Sequence, residues 1–302
     1  MEFARDDEQR SIPAIAKDSD ATAQISALLG ELPTTHRLLM GDSREVVPSL
    51  PENSVHLAIT SPPYWTLKEY EDHPDQLGHV DDYEEFLSAI DIVWEGVLRT
   101  LVPGGRLIII VGDVCLSRRK FGRHVVVPLH ASIQEHCRAL GYDNLAPIIW
   151  HKIANANLEV PNGSSFLGKP YEPNAVVKND IEYILFQRKP GGYRKPSLAA
   201  RVMSVISTDI HRQCFQQIWT LGGASTRKHP APYPPKLAER LIRMFSFVGD
   251  TVLDPFMGTG TSNVVAAGLG RNSIGVEVEP SYFGMAESAL RRTQESQKRL
   301  PV

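Results

Sequence analysis

Ser61, Pro62, Pro63 and Tyr64 follow directly on the apolar run from Val55 to Thr60. Two adjacent prolines forbid both a helix interior and a central strand, so the chain must leave a strand there and enter a rigid loop. Such a loop suits chemistry on an amino group whose lone pair is delocalised into an aromatic ring. Accepting a hydrogen bond from each amino proton favours a more tetrahedral nitrogen, with its lone pair aimed at a methyl donor. Ser61 Oγ supplies one acceptor, and the Pro62 carbonyl, fixed in direction by Pro63, supplies the other. Tyr64 adds a ring face on which a base swung out of a duplex can stack, worth about 1–3 kcal/mol.

A second constellation lies near the C-terminus. Thr251 to Leu253 reads as a strand ending at Asp254, followed by a loop with Gly258 and Gly260 and a helix from about Thr261. The next strand closes with Glu277, 17 positions beyond Gly260. Glycines let backbone approach a ligand, and an acid on the second strand end accepts hydrogen bonds from ribose hydroxyls; this is the layout of an adenosine-cofactor site. Asn263 stands where the third glycine of GxGxxG would be, and the GKT or GKS of a phosphate loop is missing. Asp254 would repel a pyrophosphate but suits the cationic amine of S-adenosylmethionine. Taken singly, the glycine loop is also readable as a tight strand-to-helix turn, and Ser-Pro-Pro-Tyr as a stiff turn with Tyr64 and Trp65 packed inward. Their combination points to a site.

Both motifs need strand ends to hold them. Apolar runs at Arg37 to Gly41, Val55 to Thr60, Arg106 to Val111, Ala146 to Trp150 and Ile181 to Phe186 read as buried strands. Between them, Asp82 to Leu101 has helical spacing and stops before Pro-Gly-Gly, and Val125 to Gly141 reads as a second helix. Helix and strand alternate again from Pro234 onward, with a last helix from Pro280. Short strands alternating with helices imply an α/β fold with a doubly wound, mostly parallel sheet. The first thirty residues show no sustained apolar period and read as a weakly ordered extension.

The chain has 302 residues, 42% of them apolar and 22% charged, as expected of a soluble globular protein. No apolar run is long enough to span a bilayer, and the charged N-terminus lacks the apolar core of a signal peptide. Three widely separated cysteines without a CxxC pair argue for reduced thiols in the cytoplasm and against a zinc site. Net charge is −3, but 152–228 holds 11 basic and 5 acidic residues, a local balance of +6.

The sequence resembles the beta class of DNA amino-methyltransferases, which act on cytosine N4 or adenine N6. The resemblance rests on Ser-Pro-Pro-Tyr preceding "DPFMGTGTS" (254–262), with "HPDQLG" (73–78), "RTLVPGGRLIIIVGDV" (99–114) and "HPAPYPPKLAERLIRMFS" (229–246). It runs from about Arg37 to Leu290 and implies a Rossmann-like S-adenosylmethionine-dependent fold with circularly permuted motif order. It also implies roles. Asp254, Pro255, Phe256, Gly258, Thr259 and Gly260 would surround the methionine part of the cofactor. Thr261 and Ser262 would start the helix behind them. Glu277 would hold the ribose, Asp42 would lie near the adenine, and His229 and Pro230 would border the methionine from the other side.

The resemblance divides the chain into an extension (1–34), a catalytic part (35–152), a target recognition region (153–228), a cofactor-binding part (229–292) and a tail (293–302). Lys152, Arg188, Lys189, Arg194 and Lys195 are the candidate DNA contacts, with "QRKPGGYRKPS" (187–197) as the DNA-facing loop.

Serine at position 61 is typical of the cytosine-N4 members, aspartate or asparagine of the adenine-N6 members; adenine remains the alternative. Cytosine-C5 methylation is excluded because it needs a cysteine nucleophile, usually after proline, and no Pro-Cys pair exists. Protein glutamine methylation would require asparagine at position 61 and the reverse motif order. A DNA-binding module that has lost turnover is the non-enzymatic alternative. Double-stranded DNA is the expected partner, with a cognate restriction endonuclease and either a monomer or a homodimer compatible with the family.

Overall fold

The apolar runs carry hydrophobic side chains on both faces, so both faces of any sheet they form must be covered. In the computed structural model, which describes residues 8–65, 77–116, 121–152, 173, 177, 179–223 and 233–298, that is what happens. The strands are β1 (His36–Met40), β2 (Val55–Thr60), β3 (Leu101–Val111), β4 (Val114–Leu116), β5 (Val125–Val127), β6 (Asp143–His151), β7 (Ile181–Arg188), β8 (Ile218–Thr220), β9 (Thr251–Asp254) and β10 (Asn272–Glu277). The helices are α1 (Glu8–Lys17), α2 (Ser19–Leu29), α3 (Ser43–Ser49), α4 (Tyr83–Thr100), α5 (Leu129–Ala139), α6 (Leu198–Met203), α7 (Thr208–Cys214), α8 (Pro235–Phe245), α9 (Thr261–Gly268) and α10 (Pro280–Lys298).

Eight strands form one sheet in the order β1-β10-β9-β2-β3-β7-β6-β8, and β4 pairs with β5 in a separate ribbon. Strand β7 runs antiparallel to both its neighbours, β3 and β6; the other neighbouring pairs of the large sheet are parallel. The carboxyl ends of β1, β10, β9, β2, β3 and β6 therefore meet the amino end of β7 along one edge. The doubly wound, mostly parallel sheet expected from sequence is the one observed.

Period-two alternation divides the core. Leu107, Ile109 and Val111 of β3 join a cluster with Phe86, Ile90 and Trp94 of α4 and Ile133 of α5. Ile108 and Ile110 join the opposite cluster with Leu237 and Leu241 of α8 and Ala266 of α9. Each such buried aliphatic side chain contributes about 1.5–3 kcal/mol. Helix α4 starts where the Asp82 carboxylate accepts the Glu85 N–H (2.9 Å).

Five expectations need correcting. Residues 8–29 are not a loose extension: Asp18 caps α2 through the N–H groups of Asp20 and Ala21, both at 3.0 Å. Ile15, Ile25 and Leu29 are buried in the cluster beside α8, where tertiary packing of the apolar stripe offsets the entropy lost on ordering. Strand β3 begins at Leu101, inside the segment assigned to a helix stop, because Pro103 and Gly104 continue alongside the Lys189 segment (Gly104 N–H to Lys189 O, 3.1 Å). Val125–Val127 pairs with β4 instead of opening a helix, which starts at Leu129. The 153–228 stretch is not separable from the sheet, since β7 lies between β3 and β6, and α10 continues through the expected tail to Lys298.

Candidate active site

Along the carboxyl edge the strand ends bring four sequence-predicted residues into succession. Met40 of β1 is in register with Glu277 of β10, and Gly275 of β10 with Asp254 of β9. Strand β9 pairs with β2, which runs into Ser61. Asp42, Glu277, Asp254 and Ser61 thus stand in order along one rim. Such a rim is where an α/β sheet binds ligands.

Gly260 caps α9 with φ +82°, and a Cβ there would come within 2.9 Å of the Ala286 Cβ. The loop is pinned from the next strand. Glu277 Oε2 accepts the Gly258 N–H and Oε1 the Glu279 N–H, each at 2.9 Å. The Met257 N–H donates to Val276 O at 3.0 Å. Asn263, in place of the third glycine, lies against Gly275, where any side chain would strike its amide; its Nδ2 donates to Ser273 Oγ at 3.1 Å. The close helix–strand approach is thus made by a glycine on the strand instead of the helix.

Asp254 is buried, and its carboxylate accepts Ser262 Oγ–H (2.6 Å), Tyr233 O–H (3.0 Å) and the Phe256 N–H (3.1 Å). Burial pushes its pKa up, against the pull of these hydrogen bonds. Burial also pushes Glu277 up, and drives the Tyr233 phenol well up with help from the Asp254 charge. Asp42 accepts the Arg44 backbone N–H at 2.8 Å and its guanidinium at 2.5 Å. Phe256 packs edge-on to Trp94, the Pro255 carbonyl accepts from Ser43 Oγ, and Thr259 and Thr261 are half-buried. His229 and Pro230 lie outside the described residues.

The Ser61–Trp65 loop departs from expectation at its aromatic. Pro62 and Pro63 are buried as a stiff turn requires, but Tyr64 is only 4% exposed and offers no free ring face. Its hydroxyl accepts from Ser61 Oγ (3.1 Å) and lies 3.2 Å from Glu182 Oε2. Trp65, at φ +47°, packs edge-on to Tyr83 and donates from Nε1 to Asp81 O at 3.2 Å.

Glu182 belongs to no motif in the sequence; its one signal is an acid inside the apolar run of β7. Asp113, just past β3, binds His130 Nδ1 at 2.6 Å, and that ring stacks on Tyr183 at 3.7 Å.

The candidate DNA contacts fare differently. Because β7 is antiparallel, its last residue, Arg188, pairs with Arg106, the first residue of β3 to pair with β7, and the loop after it leaves from the opposite edge of the sheet. Arg188 is bound to Asp143 (2.8 Å) and Arg194 to Asp250 (2.6 Å). Lys189 donates to the carbonyls of Leu101 (2.7 Å) and Arg99 (3.3 Å). Lys195 is exposed in the same loop. The four are therefore remote from Ser61. Lys152 does lie at the catalytic edge, ion-paired with Glu182 and 4.3 Å over the Trp150 ring. His151 beside it pairs with Asp180 at 3.3 Å.

A family model described as DNA methylase matches residues 55–288. The Type II methyltransferase M.MjaI of Methanocaldococcus jannaschii is 36% identical over 290 residues, covering 86% of this chain and 92% of its own. A Thermus thermophilus protein, described as a putative DNA modification methylase and solved in complex with S-adenosyl-L-methionine, is 53% identical, with a TM-score of 0.72 over 86% of this chain and 94% of that one. The cytosine-N4-specific PvuII DNA methyltransferase shares the fold, with a TM-score of 0.62 at 20% identity over 90% of this chain and 95% of its own.

Proposed function

The chain belongs to the DNA methylase family, as an S-adenosyl-L-methionine-dependent amino-methyltransferase, and we propose that it methylates the exocyclic N4 of cytosine in double-stranded DNA after the base is swung out of the helix. The observation that carries the choice of base is Ser61: a neutral hydroxyl, at the end of β2, where a carboxylate would mark the adenine enzymes.

The rim fits the cofactor. Glu277 holds the Gly258 N–H with Oε2 and the Glu279 N–H with Oε1, and a carboxylate can accept further bonds from hydroxyl donors. Asp42 and Asp254 on the flanking strand ends give a set of acids suited to a molecule carrying two cationic centres, and Gly258 and Gly260 leave the backbone open to it. Asp254 acts from behind the loop, through Tyr233 and Ser262. Bound there, S-adenosyl-L-methionine supplies an electrophilic methyl on a sulfonium sulfur.

Ser61 and the Pro62 carbonyl accept the two amino protons of the base, which pulls the nitrogen toward a tetrahedral geometry and frees its lone pair. With Tyr64 packed inward, the base is held by these polar contacts and by the walls of the rim. Duplex DNA then approaches along the carboxyl edge, with Lys152 beside it, and not along the 187–197 loop. Strand β6 ends and β7 begins at that edge, and the 153–180 stretch of the sequence that joins them is the part of the recognition region we assign to DNA. Such an enzyme works in the cytoplasm with the chromosome, protecting sites cut by a paired restriction endonuclease. Among the described residues no helix is long and apolar enough to cross a membrane.

The test is product identity: protein, cofactor and mixed-sequence duplex, digestion to nucleosides, and mass spectrometry. N4-methylcytosine is the expected product; N6-methyladenine would overturn the base assignment. Ser61→Ala should lower the rate by about 10²-fold with cofactor and DNA binding retained, whereas a pure binding module would be indifferent to it.

A further inference from the structure

We propose that Glu182 is a positioning residue for methyl transfer, acting on Ser61 through Tyr64; the proposal rests on the reading of Ser61 as an acceptor for the target amino group. A serine hydroxyl is ambivalent, with one proton to give and two lone pairs to receive. Left free, it can turn its proton toward the base and offer a donor where the amino group needs an acceptor. Here its proton has an assigned destination. Ser61 Oγ donates to the Tyr64 hydroxyl at 3.1 Å.

Tyr64 can receive that proton only if its own points elsewhere. Among the described residues its acceptors are Glu182 Oε2 at 3.2 Å and the Ile110 carbonyl at 3.4 Å. The carboxylate is nearer and charged, so it takes the proton. Glu182 is in turn fixed from its other oxygen by Lys152, and both side chains are only 11% exposed. Gly112 makes the room: a Cβ there would lie 3.2 Å from Glu182 Cγ and 3.6 Å from Tyr64 Cε2.

The order Lys152, Glu182, Tyr64, Ser61 thus has one polarity, each hydroxyl donating toward the carboxylate and presenting lone pairs away from it. A hydrogen bond that donates to a charged acceptor polarises the next one along. The negative charge absent from the motif itself is delivered to Ser61 at one remove. Strand β7 makes this possible, because its reversed direction puts Glu182 at the catalytic rim.

Tyr64→Phe tests the relay without touching the Lys152–Glu182 pair, and Glu182→Gln tests its charged end. Pre-steady-state methylation of duplex DNA should slow by about tenfold or more in each, equivalent to about 1.4 kcal/mol. Cofactor and DNA affinities should stay within about twofold, since an effect on the rate alone marks an interaction used in the transition state. Because both variants break one chain, the double variant should be no slower than the slower single. Lys152→Met with Glu182→Gln removes both buried charges, keeps the fold comparison clean, and should match Glu182→Gln alone. A wild-type rate in Tyr64→Phe, or single effects that multiply in the double variant, overturns the relay while leaving methylation by the wild type intact. A wild type that yields no methylated nucleoside overturns the functional reading and the relay together.

Discussion

The Arg194 guanidinium is clamped onto the Asp250 carboxylate, with Nη1 2.6 Å from Oδ2, at the amino end of β9 and on the far edge of the sheet from Ser61. Asp250 also accepts the Phe247 N–H at 2.7 Å. The loop after β7 is therefore stitched into the fold by Arg188, Lys189 and Arg194, whose charges find their partners within the protein.

From this, Arg194→Ala and Lys189→Ala should lower stability, by about 1–3 kcal/mol for the lost charge-assisted bonds. The slope of DNA affinity against salt should not change, as removing a phosphate contact would reduce it by about one. Urea titration and binding at several salt concentrations measure the two quantities; a reduced slope would return this loop to the DNA interface.

Leu29 is 1% exposed and Leu28, its neighbour on α2, is 48% exposed. Leu29→Ala should cost about 2–5 kcal/mol, and Leu28→Ala should stay within about 0.5 kcal/mol. Equal effects in thermal or urea unfolding would mean that α2 does not dock on the sheet.

Gly260 combines φ +82° with a Cβ position 2.9 Å from Ala286 Cβ and 3.1 Å from its Cα. Gly260→Ala should destabilise by about 1–3 kcal/mol and weaken cofactor binding by displacing the loop. Gly268→Ala, where nothing lies within 4 Å, should be neutral or raise stability by about 0.5–1 kcal/mol. The pair separates a local clash from a general dislike of alanine in α9.

Burial holds the Asp254 carboxyl above the usual carboxylate range. An acid raised on folding binds its proton more tightly in the native state than in the unfolded chain. Its stabilising contribution is therefore largest at low pH and declines as pH climbs from the unfolded value, about 4, through the folded one. Asp254→Asn removes that decline. The stability of the variant relative to wild type, from urea titrations at pH 4 to 7, roughly, should rise with pH whatever its absolute offset. A difference that falls over this range would refute the assignment. Cationic cofactor favours the ionised carboxylate, so its affinity for the wild type should tighten over the same interval and that trend should be weaker in Asp254→Asn.

Read alone, the chain specifies the alternation of strands and helices, the two glycines of the cofactor loop, and the acids and the Ser-Pro-Pro turn at strand ends. These are local properties. An apolar run with proline or glycine behind it says where a strand stops, and a parallel α/β sheet then puts such stops on one rim. Pairing between distant segments settles the rest. The direction of β7 is set by its partners β3 and β6, and it sends Arg188 and Arg194 to the edge away from Ser61 while bringing Glu182 to the edge that holds it. The inward packing of Tyr64 follows from the Glu182 carboxylate and the space above Gly112, neither of which is near it in sequence. The docking of α1 and α2 follows from an apolar sheet face that needs covering, although their own pattern is too weak to announce it. A charged side chain in a sequence shows only that it needs a partner; the fold chooses whether that partner is a phosphate, a carboxylate or a backbone carbonyl.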